Sequence, residues 1–196
     1  MALVMTRRFS FRVVAMAVAA LFVLSAPAVA HKRPHAASVE NYINPFTAPG
    51  WEASRTDMGV DWVAAQPEPV LAIGDAVILG SDWHAPWPGK RLIWYELTDG
   101  SHAGDVIYVA ENLRHLLAAG TRVRAGQKIA EALPGYPGTE WGWADQYGTP
   151  ISLPCYREGR PTSSGKRMAR FMEELGAAVG DPVALAGPDG PTGKLC

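Results

Sequence analysis

Short apolar runs alternate with turns rich in Gly, Pro and Asp between Trp51 and Asp145. In chain order the runs are GVDWVA, PVLAIG, AVILGS, RLIWYEL, DVIYVAE, TRVRAGQKIA and TEWGWAD. Runs of this length, bounded by turn residues, are typical of β-strands. Several of them alternate apolar and polar residues, as TRVR does at 121–124, which fits a sheet with one face in solvent. The pattern predicts a mainly β domain over residues 51–150.

The segments on either side of this domain have different patterns. Residues 31–50 lack periodicity and contain three prolines, which predicts an extended N-terminal arm. In the C-terminal extension, residues 151–196, the spacing predicts one amphipathic helix over about 164–176, with Ser163 or Ser164 as N-cap and Gly176 as stop. The apolar face of this helix, expected to pack on the domain, consists of Met168, Phe171, Met172 and Leu175.

Residues 1–30 have the three parts of a secretory signal peptide. Arg7, Arg8 and Arg12 form a basic start, Val13 to Leu24 is almost wholly apolar, and AVA at 28–30 is a small-residue cleavage box. The apolar run is shorter than the roughly 20 residues that span a bilayer, and no later run qualifies. Cleavage after Ala30 would leave 196 − 30 = 166 residues. We therefore expect a secreted protein without a transmembrane segment.

Charge and cysteine content narrow the class further. Lys and Arg number 18 against 19 Asp and Glu, a net charge of −1, which argues against a nucleic-acid partner. The two cysteines, Cys155 and Cys196, are expected to form a disulfide in an oxidising compartment and to tie down the C-terminal tail. The alternative is that Cys196, as the last residue, stays unpaired.

The order of the motifs carries a family resemblance. A Gly-Val-Asp element ending at Asp61 is followed by PVLAIGDAV, IYVAENL, GTRVRAGQKIA and TEWGWA. The glycine turn in the fourth segment also occurs in biotinyl-lipoyl domains, but no lysine here lies in a Met-Lys-Met setting. In this order, over about ninety residues, the chain resembles the lysostaphin-type zinc endopeptidases, which act on peptidoglycan. The resemblance implies an antiparallel β-sheet or sandwich fold with an active site in an open groove.

Carboxylates stand where that family has zinc-binding and catalytic histidines. A His-x-x-x-Asp pair and the second His of a His-x-His triplet hold zinc in the family. Asp61 matches the aspartate, whereas Asp57 stands at its histidine partner. Glu111 approximates the histidine after the strand tyrosine, and Glu140 and Gly142 fall on the triplet. The resemblance thus implies a degenerate member without the zinc-binding histidines.

An all-carboxylate cluster is a poor zinc site, because zinc favours nitrogen and sulfur with one or two oxygens. Such a cluster suits Ca²⁺ or Mg²⁺ better, if it binds metal at all. The five histidines lie in the arm or in loops, and His115 could be a displaced ligand but is more typical of a surface position. We expect no metal and no cofactor.

The acids can be remnants of a lost site or the parts of another chemistry. Two carboxylates across a groove can cleave a glycosidic bond, one as the protonated acid and the other as base or nucleophile. Glu140, beside two tryptophans, is the candidate acid, because apolar neighbours raise a carboxyl pKa. Asp57 or Asp61 is the candidate base or nucleophile, and Glu111 is the fourth candidate catalytic residue.

Aromatic residues adjoin several of these acids. Sugar rings stack on aromatic faces, which makes some of them candidates for substrate binding, although a tryptophan in a small β domain more often lies in the core. The candidate substrate-binding residues are Trp62, Trp87, Tyr108, Trp141 and Trp143.

These observations favour a secreted protein that binds a cell-wall polysaccharide or peptidoglycan through an acidic, aromatic groove. As an enzyme it would be a metal-independent, glycoside hydrolase-like protein. The alternative is a catalytically inactive peptidoglycan-binding or regulatory module. An active zinc endopeptidase is the least favoured reading, because its ligands are missing.

Overall fold

The computed structural model describes residues 41–180. The predicted signal peptide therefore lies outside the described residues, as does Cys196, so its pairing with Cys155 stays a prediction.

A seven-stranded antiparallel sheet holds most of the predicted strands. Its order is β1-β2-β10-β6-β5-β4-β8, and every neighbouring pair runs antiparallel. The strands are β1 (Trp51–Thr56), β2 (Val60–Ala64), β4 (Ala76–Asp82), β5 (Leu92–Leu97), β6 (Val106–Glu111), β8 (Arg122–Val123) and β10 (Thr139–Ala144).

A second sheet of three strands has the order β3-β9-β7. It is formed by β3 (Glu68–Leu71), β7 (Leu113–Arg114) and β9 (Lys128–Ala132). A large apolar cluster includes residues of both sheets, among them Ile93 of the first sheet and Val70 and Ile129 of the second. The predicted mainly β, antiparallel fold is confirmed. The sequence runs missed β1 and β7, because WEASRT is half polar and LR is only a two-residue strand.

Alternation along the central strands separates apolar from acidic side chains. Trp62 and Trp141 pack edge to face, and Phe46 stacks on Trp62 with ring centroids 3.6 Å apart. Asp61 and Glu140, the preceding residues on the same two strands, point to the opposite face. Phe46 belongs to the predicted N-terminal arm, so the end of that arm packs against the core.

Helix α1 (Ser163–Glu174) and a short 3₁₀ turn (Leu153–Cys155) follow the sheets. The predicted helix is present, and Met168, Phe171 and Met172 are buried against the sheet. The N-cap is Thr162 rather than Ser163 or Ser164, because the Thr162 hydroxyl accepts a hydrogen bond from the Gly165 amide. Over residues 41–180, no helix combines the length and apolar character needed to cross a membrane.

Candidate functional site

The tight hairpin between β1 and β2 brings two acids and an arginine together. Arg55 lies at the end of β1, Asp57 in the turn, and Asp61 on β2. Thr56 pairs with Val60, and the Asp57 amide donates to the Gly59 carbonyl at 3.0 Å, which closes the turn. The side chains of Arg55, Asp57 and Asp61 are therefore close together.

Strands β10 and β6 add the other acids to this place. Glu140 is directly opposite Asp61 in the β2–β10 register. Glu111, the last residue of β6, pairs with Thr139 and has a φ of 86°. A positive φ in a non-glycine residue carries strain and often marks a functional position. The four predicted acids therefore lie in one region of the sheet.

Asp57, Asp61 and Glu140 form a buried cluster, which we call the carboxylate cluster. Their exposed fractions are 0%, 3% and 2%, and one oxygen of each lies within 4.8 Å of the others. The Tyr108 hydroxyl donates a hydrogen bond to Glu140 from behind. Asp61 Oδ1 is buried and lacks a hydrogen-bond partner.

Arg55 holds two members of this cluster. Its Nε lies 2.7 Å from Asp61 Oδ2 and 3.4 Å from Asp57 Oδ2. Its Nη1 lies 3.1 Å from Glu158. Burial alone would lower the arginine pKa, but the hydrogen bond and charge of Asp61 outweigh it and raise the pKa above its usual value.

The C-terminal segment covers Asp57. The Gly159 amide donates to Asp57 Oδ2 at 3.3 Å, and the Thr162 amide and hydroxyl donate to the Asp57 carbonyl at 2.8 and 3.0 Å. Gly165 approaches the same carbonyl so closely that a Cβ there would overlap it. The segment that begins α1 thus fixes the hairpin turn and closes Asp57 off from solvent.

Burial dominates the acid–base properties of the site. It raises the pKa of Asp61 to about 7, and the charge of Asp57 adds to this effect. Burial and the charge of Asp61 raise the pKa of Glu111 to about 8. Burial raises the pKa of Glu140 well above its usual range, and the neighbouring aspartates add to this, although the Tyr108 hydrogen bond opposes it. This agrees with the direction expected for Glu140 from its apolar neighbours.

An open pocket of about 570 Å³ lies beside the carboxylate cluster. Of the four predicted acids, Glu111 and Glu140 line it, whereas Asp57 and Asp61 do not. The other lining includes Arg55, Glu158 and several prolines. Its aromatic residues are Trp87, Tyr136, Tyr147 and Tyr156.

Three of the predicted substrate-binding residues lie elsewhere. Trp62, Trp141 and Trp143 are 0–1% exposed in the apolar core, so the expectation that they stack on a ligand is corrected. The reason is strand alternation, which turns Trp141 and Trp143 away from the face of Glu140. Trp87 does line the pocket. Tyr108 lies behind Trp87, with ring centroids 5.4 Å apart, and is 0% exposed, so the expectation that Tyr108 contacts a ligand is corrected as well.

The donor set does not fit zinc. The cluster offers carboxylate oxygen only, whereas zinc sites are dominated by imidazole and thiolate ligands. Of the three histidines within residues 41–180, none lines the pocket or joins the cluster. The Gly142 position of the family triplet faces the Tyr108 ring, which fills the space a side chain would need.

The fold is of the lysostaphin type. It is similar to the solution structure of lysostaphin, with a TM-score of 0.50, 17% sequence identity and coverage of 80% of this chain. The matched part amounts to 62% of the lysostaphin chain, so this protein spans less than two thirds of that chain's length. No family model and no curated protein matches the sequence. At this identity the likeness concerns the fold alone.

Several residues of the site were not expected from the sequence. Arg55 lies on the strand that the apolar runs missed, and only its spacing of two residues from Asp57 hints at a role. Tyr136, Tyr147 and Tyr156 lie in loops after β9 and β10, where no periodicity points to a pocket. They reach it only through the tertiary fold.

Proposed function

We propose that this is a cell-envelope protein that binds a wall polysaccharide or peptidoglycan in the pocket beside the carboxylate cluster. The observation that carries the proposal is the lining: aromatic rings surround a wall on which Glu111 and Glu140 lie. Tyr136 and Tyr147 are 82% and 74% exposed and line this pocket, so their rings are accessible to a ligand bound there. Export through the predicted signal peptide would bring the domain to this polymer.

The chemistry of the lining matches a glycan strand. The C–H face of a sugar ring is apolar and packs on an aromatic face, while its hydroxyls remain free to donate hydrogen bonds. Carboxylate groups such as Glu111 and Glu140 accept such hydrogen bonds. An open pocket, rather than a closed cavity, also leaves room for a chain that continues in both directions.

Replacing Trp87 with Ala is expected to weaken polymer binding about tenfold, because a buried aromatic contact is commonly worth more than about 1.4 kcal/mol. The measurement is co-sedimentation of the protein without its predicted signal peptide, residues 31–196, with purified peptidoglycan over a range of polymer concentrations. Trp83→Ala is the matched control, since Trp83 is 42% exposed and does not line the pocket. Equal binding by both variants and the unaltered protein would place the contact surface elsewhere.

Hydrolysis of a glycosidic bond is a second candidate function. It is favoured by one observation: Glu140 and Glu111 share the pocket wall, and Glu140 keeps its proton to higher pH because its pKa is raised well above the usual range. Glu140 would donate that proton to the leaving oxygen as the glycosidic bond breaks. Ionised Glu111 would take a proton from the water that attacks the sugar carbon, so that one water is added across the bond. Asp57, fully buried, would not contact the substrate.

If the protein is a hydrolase, Glu140→Gln is expected to lower the release of reducing ends by at least about 100-fold, as for loss of a general acid. The rate should rise with pH through about 8, because Glu111 must ionise to act as the base. Glu131→Gln is the control, since Glu131 pairs with Lys128 and Arg114 away from the pocket. Polymer that binds but yields no reducing ends would favour the inactive binding module.

A further inference from the structure

A buried group of carboxylates requires positive charge. Asp57, Asp61 and Glu140 have at most 3% of their surface in solvent, and their oxygens approach within 4.8 Å. Ionised oxygens so placed lose hydration and repel one another unless a cation or a proton compensates. A metal ion bound by oxygen ligands is one way to supply that charge, but these ligands do not fit zinc. The question is which group supplies the charge here.

The Arg55 side chain makes the contacts that a bound metal ion would make. Its Nε is 2.7 Å from Asp61 Oδ2 and 3.4 Å from Asp57 Oδ2, so one N–H group lies between two carboxylates of the cluster. The same side chain reaches Glu158 on the segment that covers the cluster. Its side chain is 35% exposed and lines the pocket, which is the path by which an ion from solvent would arrive.

The cluster has the geometry for an ion once this arginine is removed. Two oxygens that bind one ion at about 2.4 Å can be at most about 4.8 Å apart, and Ca²⁺ takes oxygen ligands at about that bond length. The three carboxylates satisfy this limit. Asp61 Oδ1 is buried without a hydrogen-bond partner, so it has a free lone pair to offer. Oxygen-only ligands favour Ca²⁺, Mg²⁺ or Mn²⁺ over zinc.

We propose that the Arg55 guanidinium is a built-in replacement for a metal ion in the carboxylate cluster, and that its removal turns Asp57, Asp61 and Glu140 into a site for a hard divalent cation. In the native protein a divalent ion must displace the ion pair between Arg55 and Asp61. Arg55 therefore excludes metal from the cluster as well as neutralising it. This inference concerns the cluster itself and does not depend on polymer binding.

The test compares divalent-cation binding by the native protein and by Arg55→Ala. Both are freed of metal with a chelator and titrated at pH 7.5 with CaCl₂, MgCl₂, MnCl₂ and ZnCl₂ by calorimetry, with thermal melting as a second readout. We expect Arg55→Ala to bind Ca²⁺ or Mn²⁺ with one-to-one stoichiometry and a Kd at least about tenfold lower than that of the native protein. Its melting temperature should rise with the ion, whereas that of the native protein should not.

Three variants make the result specific. Arg55→Lys keeps a cation and should stay insensitive to metal, and Arg114→Ala removes an arginine from a surface pair with Glu131 and should do the same. Arg55→Ala combined with Asp61→Asn should lose the gained site. If Arg55→Ala does not fold, Arg55→Gln supports the same titration. The proposal would be overturned if Arg55→Ala or Arg55→Gln bound divalent ions no better than the native protein, or if the native cluster bound one ion with the affinity of Arg55→Ala.

Discussion

The domain should become less stable as the pH rises from 5 to 8, with a fall in melting temperature of roughly 6–12 °C. Asp61 and Glu111 have pKa values raised from 3.8 and 4.5 to about 7 and about 8. Between these limits the folded chain retains protons that the unfolded chain releases. Stability therefore falls with pH across this window, and the fall ends once pH exceeds the folded pKa values. This is the opposite of the usual effect of ion-paired carboxylates.

The size of the effect follows from proton linkage. For each group that is protonated only in the folded state, the free energy of unfolding falls by about 1.4 kcal/mol for each pH unit that the pH rises within the window. Asp61 over about two pH units and Glu111 over about three would together lose about 7 kcal/mol, and a reduction of about one half for the nearby charge of Arg55 and for solvent screening leaves about 3 kcal/mol. For a domain of this size, each kcal/mol corresponds to roughly 2–4 °C in melting temperature. Thermal melts followed by circular dichroism at constant ionic strength measure it.

Two glutamine variants separate the responsible groups. Glu111→Gln cannot ionise, so the fall between pH 5 and 8 should be shallower. Glu131→Gln should leave the slope unchanged, because its exposed ion pairs lower the pKa of Glu131 to about 2, below this window. A melting temperature that is constant or rises from pH 5 to 8 would contradict the assignment of raised pKa values to this cluster.

The convergence of the acids was implied only by the family resemblance, which aligns them with residues of one site, whereas the strand order that produces it was not predicted. Asp61 and Glu140 lie on β2 and β10, which neighbour each other in the sheet, and the register sets them opposite. The side of the sheet on which each tryptophan lies follows from alternation: once Glu140 is assigned to the acidic face, Trp141 and Trp143 must point the other way. A tryptophan that is adjacent to an acid in a strand lies on the opposite face, so this adjacency did not predict which tryptophans line the pocket.

Contacts between distant segments were beyond sequence reasoning. Arg55 meets Glu158 across more than one hundred residues, and the Asp57 carbonyl is held by Thr162. No periodicity links a hairpin turn to a loop that follows the sheet, because such contacts depend on how the helix docks. The same docking closes off Asp57, and Asp61 does not line the pocket either, which is why the candidate base moves from Asp57 or Asp61 to Glu111.

Gly142→Ala is expected to destabilise the domain by about 1–3 kcal/mol, the usual range for overpacking a filled interior. A Cβ at this position would overlap the ring of Tyr108, which is fully buried, contacts Trp87 and donates to Glu140. Chemical denaturation gives the free energy of unfolding for the variant. Because the ring must shift, the pocket wall moves with it, so polymer binding should weaken together with stability.

A double-mutant cycle identifies the ring as the cause. Tyr108→Ala alone should cost about 3–5 kcal/mol, as for other buried aromatic truncations, but Gly142→Ala should cost little in that background because the clash is gone. Tyr108→Phe removes the hydroxyl but keeps the ring carbons that the Cβ would overlap, so most of the cost of Gly142→Ala should remain in that background. Additive costs with Tyr108→Ala would mean that the ring is not what limits the position. By the same geometry, a histidine introduced at position 142 would overlap the Tyr108 ring, so the strand does not accommodate a His-x-His triplet at 140–142 while Tyr108 keeps its place.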